Sequence, residues 1–175
     1  MPDRPPVTAV PLVGGAALVS LDSARRRRAG RSRVIRVLLV GAHALARAGL
    51  RRLLEDDADL MVIGEAADGP EGARLLRRAQ PDVVLLDAGP GAPDPAAVMR
   101  ALGARVPVLL VSDDEDDRLF AALRAGAAGA LASDSHPAEL APALRTLAGG
   151  GALLPPRTVR RLIAELVDSA THCPR

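Results

Sequence analysis

The chain has 175 residues, 49% of them hydrophobic, which suits one domain of ordinary size with appended segments and a substantial core. It contains no Lys, Tyr or Trp and a single Phe, so the core must be built from Ala, Val and Leu, and any chemistry that needs a lysine ammonium is excluded. The formal charge of +2 is unevenly spread: residues 1–36 hold eight Arg against two acids, and the remainder holds fifteen against nineteen. The lone Cys173 cannot close an intrachain disulfide, so nothing supports an oxidising compartment.

Residues 1–33 read as a disordered, Arg-rich arm. Val7 to Leu21 is apolar but broken by Pro11, Gly14 and Gly15, and it is too short to span a bilayer. The arginines follow the apolar run instead of preceding it, which opposes a secretory signal and leaves a cytoplasmic location as the expectation. Arg25 to Arg28, with Arg31 and Arg33, offers pairing to phosphate or carboxylate, but no aromatic or helical pattern accompanies it. A solvated arm is the simpler reading.

From Val34 onward strands and helices alternate. Val34–Val40 reads as a strand, and Ala44 to about Glu55 as a helix with Leu50, Leu53 and Leu54 on its apolar face. Leu60–Gly64 is the second strand, and Gly69-Pro70 opens a helix reaching about Ala79. Val83–Asp87 follows, entered through Pro81 and apolar on four consecutive positions, the signature of a strand buried on both faces. Next come a short helix over Pro95–Leu102, a fourth strand over Val106–Val111 and a helix over Glu115–Arg124. Ala127–Ala132 is a strand supported mainly by its position. Pro137 to Leu147 is a helix with Leu140, Leu144 and Leu147 on one stripe, ended by Gly149-Gly150-Gly151. A last helix from Pro156 to about Asp168 carries Val159, Leu162, Ile163, Leu166 and Val167. Five strand–helix pairs in strict alternation predict an α/β fold with a doubly wound five-stranded parallel sheet and a C-terminal linker helix.

In such sheets ligands meet the carboxyl ends of the strands. Asp87 stands there, before the turn Ala88-Gly89-Pro90-Gly91-Ala92-Pro93. Its carboxylate suits a nucleophile, a metal ligand or a cap for the turn's backbone N–H groups. No His/Cys metal spacing, nucleophile–base pair or glycine-rich phosphate loop occurs, so an enzyme is not expected.

Several stretches resemble the receiver domain of NarL/LuxR-type response regulators. They are Ile35 to Val40, His43-Ala44-Leu45-Ala46-Arg47-Ala48-Gly49-Leu50, Gly64-Glu65-Ala66, Pro81 to Asp87 and Leu123-Arg124-Ala125-Gly126-Ala127. Ala152 to Arg157 is similar to the region after the receiver's last helix. The resemblance implies a flavodoxin-like receiver over 34–150 and a linker helix and tail over 151–175. It further implies that Asp87 is the phosphoacceptor for a histidine kinase, assisted by magnesium.

The chain departs from that pattern around Asp87. The acidic pair that would hold magnesium falls on Gly41 and Ala42, the phosphate-contacting lysine on Ser133, and the Ser/Thr position on Val111, with Ser112 the nearest hydroxyl. The aromatic switch position falls on Ala130, and Pro90-Gly91-Ala92 replaces the usual Met-Pro-Gly turn. Magnesium binding is therefore expected to be weak or absent. Asp113 or Asp114 offers partial compensation, although acids there also suit a helix start. His43 is expected to serve the helix start, because the family commonly has His at that position.

The expected role is an atypical receiver in two-component signalling and transcription regulation, acting as a phosphorylation-independent module that forms homodimers or pairs with a related response regulator. Arg145 with Leu144 and Leu147, or the stripe from Val159 to Val167, would supply the contact. The alternatives are a receiver weakly phosphorylated on Asp87 by a histidine kinase, and a small-ligand sensor in the emptied pocket. The eight residues from Asp168 onward cannot form a helix-turn-helix, so sequence-specific DNA reading by this chain is not expected, nor is a membrane partner.

Overall fold

The computed structural model describes residues 17–19, 34–103, 105–112 and 117–171. The strands are β1 (Ala17–Val19), β2 (Ile35–Val40), β3 (Leu60–Ala66), β4 (Val83–Asp87), β5 (Val108–Ser112), β6 (Gly129–Ala132) and β7 (Ala152–Leu154). The helices are α1 (Ala44–Glu55), α2 (Gly69–Ala79), α3 (Pro95–Leu102), α4 (Asp117–Arg124), α5 (Leu140–Ala148) and α6 (Pro156–Thr171), and a single 3-10 turn over Pro137–Glu139 leads into α5.

All seven strands form one sheet in the order β1-β7-β6-β5-β4-β2-β3. The run from β3 to β7 is parallel, and β1 adds to β7 antiparallel. The expected five-stranded sheet is thus extended by two short strands. Gly129 explains how β7 is admitted: a Cβ there would stand 2.7 Å from the Leu153 carbonyl oxygen, so only glycine lets the two backbones approach. Leu153 is then buried in the core. The second correction concerns the arm, expected to be disordered throughout 1–33. Ala17–Val19 instead pairs with Leu154, Leu153 and Ala152, satisfying the outer edge of β7. The run Arg25–Arg33 lies outside the described residues, as do Asp113 and Asp114.

β4 is buried along its whole length, and its alternation divides the core in two. Val83 and Leu85 pack with Leu39, Leu54, Leu109, Leu144 and Leu147 under α1 and α5. Val84 and Leu86 pack with Leu38, Leu110, Val98, Leu102 and Leu119 under α2, α3 and α4. Each fully buried leucine contributes about 2 kcal/mol, and a core built largely from aliphatics suffices without aromatic mass. Local signals set the helix starts. Asp68 caps α2 by accepting from Glu71 N at 2.7 Å, and Asp94 caps α3 by accepting from Ala96 N and Ala97 N, with Pro70 and Pro95 in the first turns.

Two expected docking surfaces are altered by the packing. Leu144 and Leu147 are fully buried. Arg145 is committed within the chain, its Nε and Nη2 donating to Asp59 at 2.8 and 2.6 Å while Nη2 also reaches Asp57 at 2.5 Å. The stripe is apolar because it faces the sheet, and the guanidinium pins α5 to the loop before β3. On α6, Thr158 is buried and Arg161 lies over the Phe120 ring at 4.2 Å and pairs with Asp117, so part of that helix packs back on α4. Ile163 is exposed, and the side chains of Leu166 and Val167 lie outside the described ones. On α1, Leu54 is buried as expected but Leu53 faces solvent.

Hydrogen bonding from Arg145 holds the Asp59 carboxyl below the usual carboxylate range, and the same bonds raise the Arg145 guanidinium. A depressed carboxyl contributes stability that is present above its unfolded-state value and lost as pH falls through the folded one. Arg145→Gln is expected to lower stability by a constant amount above about pH 5, with the gap to wild type closing below about pH 4. Urea titrations from pH 7 to pH 3 measure this, and a gap that does not change with pH would rule out the Asp59 pairing as its source.

Candidate functional site

Asp87 closes β4 at the carboxyl end of the sheet, with 9% of its surface exposed. Oδ1 accepts from Gly89 N at 3.2 Å, the Asx-type cap for the following turn. Oδ2 is buried and has no hydrogen-bond partner among the described residues. Parallel register fixes its flanks. Leu39 pairs with Leu85 and Val40 with Leu86, so Gly41 comes beside Asp87 on one side. On the other side Asp87 pairs directly with Val111.

The approach of Gly41 is close. A Cβ built there would lie 2.8 Å from Asp87 Cβ and 3.2 Å from Oδ2, inside the distance real Cβ atoms keep. The space remaining beside Asp87, bounded by Gly41, Ala42, Asp68, Ala88, Pro93 and Val98 among others, is about 10 Å³. That holds about one water molecule, whereas small-molecule sites run from about 300 Å³ upward. That space lies on the α2 and α3 side of the strand end, and Val111 and Ser133 do not line it.

The other candidates separate. Ala42 is exposed and carries no donor atom. Val111 is half-buried among the α1 and α5 core residues. Ser112, offered as a phosphate contact, follows Val111, and strand alternation directs it to the face opposite Asp87. Ser133 is exposed, and its N–H donates to the Ser112 carbonyl at 3.1 Å. Ala130 is buried under α4 and is too small to change rotamer as an aromatic switch would.

His43 corrects the expectation of a helix-start role. It occupies the N-cap position of α1 but its side chain caps nothing there. Its Nε2 instead lies 3.1 Å from the Pro90 carbonyl oxygen, tying the turn after Asp87 to the start of α1. Arg47, one turn on, donates to the Gly41 carbonyl and pairs with Glu65 at 3.5 Å. Neither Arg47 nor Asp68 stood out in the sequence. The only signal for Arg47 is its spacing four residues after His43, which places both at one end of one helix face.

The comparisons with known proteins agree with this arrangement. The family profile described as the response regulator receiver domain matches residues 37–145. The chain belongs to the response regulator receiver domain family. Among its relatives, the transcriptional regulatory protein LiaR of Bacillus subtilis is 35% identical over 143 residues, covering 79% of this chain and 68% of LiaR. The nitrate/nitrite response regulator protein NarL of Escherichia coli K12 is 32% identical, covering 67% of this chain and 56% of NarL. The crystal structure of a LuxR-family two-component response regulator from Aurantimonas sp. SI85-9A1 superposes with a TM-score of 0.64 at 32% identity, over 77% of this chain and 99% of that one. The chain thus spans between about half and two thirds of the length of these curated relatives.

The magnesium of the family would need carboxylates beside Asp87. Gly41 and Ala42 supply no side-chain oxygen, and Asp68 spends Oδ1 on the α2 cap. Among the described residues no group of three or more His, Cys, Asp or Glu side chains gathers to hold an ion. Among those residues the Asp87 Oδ2 has no hydrogen-bond partner.

A buried carboxylate oxygen without a partner costs stability. Asp87→Asn keeps the acceptor for Gly89 N and removes the charge, so it is expected to be neutral or to stabilise the receiver by about 1 kcal/mol at pH 7. Chemical denaturation of both forms tests this. A loss of more than about 1 kcal/mol would mean that Oδ2 has a partner that the geometry lacks.

Proposed function

We propose that this chain is an atypical receiver whose output does not depend on phosphorylation: a protein-interaction module of two-component signalling and transcription regulation, pairing with a second copy or with a related response regulator. One observation carries the reading, the contact of Gly41 against Asp87. It removes the nearest position from which a carboxylate would bring magnesium to Asp87. Val111 carries no hydroxyl, and Ser133 carries no cation where the family has its lysine. Phosphoryl transfer to a carboxylate depends on positioned cations to spread the developing charge.

The module is proposed to be non-enzymatic, without a bound metal, and cytoplasmic. Among the described residues no helix is long and apolar enough to cross a membrane. LiaR and NarL, the named relatives, are a transcriptional regulatory protein and a nitrate/nitrite response regulator, which supports placing this chain in gene regulation. Direct base reading is assigned to a partner, and a histidine kinase is retained as the upstream contact only in the alternative where Asp87 accepts phosphate weakly.

Incubation with a small acyl phosphate and magnesium, followed by intact mass measurement of wild type and Asp87→Asn, tests the proposal. No adduct on either form is expected. A stoichiometric gain of one phosphoryl group on wild type alone would overturn phosphorylation independence.

A further inference from the structure

A groove opens at the amino end of the sheet, at the opposite end from Asp87. Its origin lies in the unequal lengths of two neighbouring helices. α3 ends at Leu102, whose side chain lies against Gly72, whereas α2 runs on for about two further turns to Ala79. The groove is the space beside those turns, closed below by the segments that lead into β4 and β5. It measures about 590 Å³. Small-molecule sites occupy about 300–1,000 Å³, so the volume is of the right order. Ala73 and Leu102 are buried and Leu76 and Val106 are half-buried, which makes the floor apolar.

The rim differs from the floor. Arg77, Gln80 and Arg105 line it and are exposed. Among the described residues neither guanidinium has an acid as its partner, and the Gln80 side chain makes no hydrogen bond. Elsewhere the chain pairs its arginines: Arg51, Arg52, Arg100 and Arg145 each meet a carboxylate. The dipole of α2 accounts for a cation at Arg77, in the last turn of that helix. It does not account for Arg105, which stands on the loop between α3 and β5. Two unpaired cations on one mouth are also unexpected in a folded part where acids outnumber arginines. The lining has no aromatic side chain on which a base would stack, so a nucleic acid is a poor match.

We propose that this groove binds a small amphipathic anion, its apolar body on Leu76, Leu102 and Val106 and its charged head between Arg77 and Arg105. The volume and the apolar floor select a small molecule, and the unpaired guanidiniums select its charge. Carboxylate, sulfonate and phosphate heads share the required chemistry, and the Gln80 amide offers a further donor and acceptor beside them. Ligands of parallel sheets ordinarily meet the carboxyl ends of the strands, so this is a second place on the fold. It does not depend on whether Asp87 accepts phosphate. A ligand seated there would tie the end of α2 to the segment entering β5 and stabilise the receiver by mass action.

Fluorescence titration of the full chain with anilinonaphthalene sulfonate, an amphipathic anion, tests the site, with the uncharged phenylnaphthylamine in parallel. Wild type is expected to bind the sulfonate dye saturably, one per chain, and to release it to decanoate. Arg77→Gln and Arg105→Gln are each expected to weaken the sulfonate about fivefold while leaving the uncharged dye unchanged. Both arginines are exposed and unpaired, so the thermal midpoints of the variants should match that of wild type, separating loss of binding from loss of fold. Three results would overturn the proposal: no saturable binding by wild type, equal sulfonate affinity in both arginine variants, or displacement of the dye by polyglutamate and not by decanoate. The last would assign the groove to an acidic peptide instead.

Discussion

Burial of β4 on both faces is the constraint from which the architecture follows. A strand whose side chains all meet protein must have helices on both sides of its sheet, and its backbone must be paired along both edges. Val83 to Leu86 meet both conditions through β2 and β5. The only part of such a strand that reaches a crevice is its carboxyl end. Asp87 is therefore placed by packing, and its flanks are placed by register. What the site can do depends on which residues arrive on the neighbouring strand ends, and here these are Gly41 and Val111.

Gly41 changes the space as well as the ligand set. With an acid at this position the strand end would carry a side chain past Asp87, and the carboxylates would need a cation between them. With glycine no side chain stands there, and a Cβ would lie 2.8 Å from Asp87 Cβ. The unpaired Oδ2 costs on the order of 1–3 kcal/mol. The leucines and valines on the two faces of β4 outweigh this many times over. A core of this quality tolerates an unsatisfied carboxylate, so the presence of Asp87 is weak evidence that its chemistry persists.

Much of this was legible in the sequence, for identifiable reasons. The Val83–Asp87 strand was clear because four apolar residues between Pro81 and a turn leave few alternatives. The starts of α2 and α3 were clear because Pro70 and Pro95 suit a first helical turn, a local signal independent of tertiary contacts. β7 was hidden because three residues after a glycine run carry no periodicity, and its pairing depends on the missing side chain of Gly129, 24 residues before Leu153. The Leu144 and Leu147 stripe was visible, but periodicity does not say whether a stripe faces the sheet or a partner. Arg145 looked free for the same reason: its partners Asp57 and Asp59 lie in a loop distant in sequence. The close approach of Gly41 to Asp87 was beyond reach altogether, since composition at Gly41 and Ala42 shows that ligands are lost without showing how near the two strand ends lie.

The arrangement of helices also decides where a change near Asp87 would be felt. Ala130 is small and fixed in the core, and α4 is overlaid by Arg161 of α6, so the β6–α4 side has neither a movable side chain nor an open face at that point. On the opposite side, His43 joins the Pro90 carbonyl to the first turn of α1, and Arg47 joins that same helix to the Gly41 carbonyl. Both hydrogen bonds connect the end of the sheet to α1, whose outer face bears Leu45, Gly49 and Leu53. The strand end and the exposed helix face are therefore mechanically one unit. Packing and hydrogen bonds sustain this unit from residues of the chain alone.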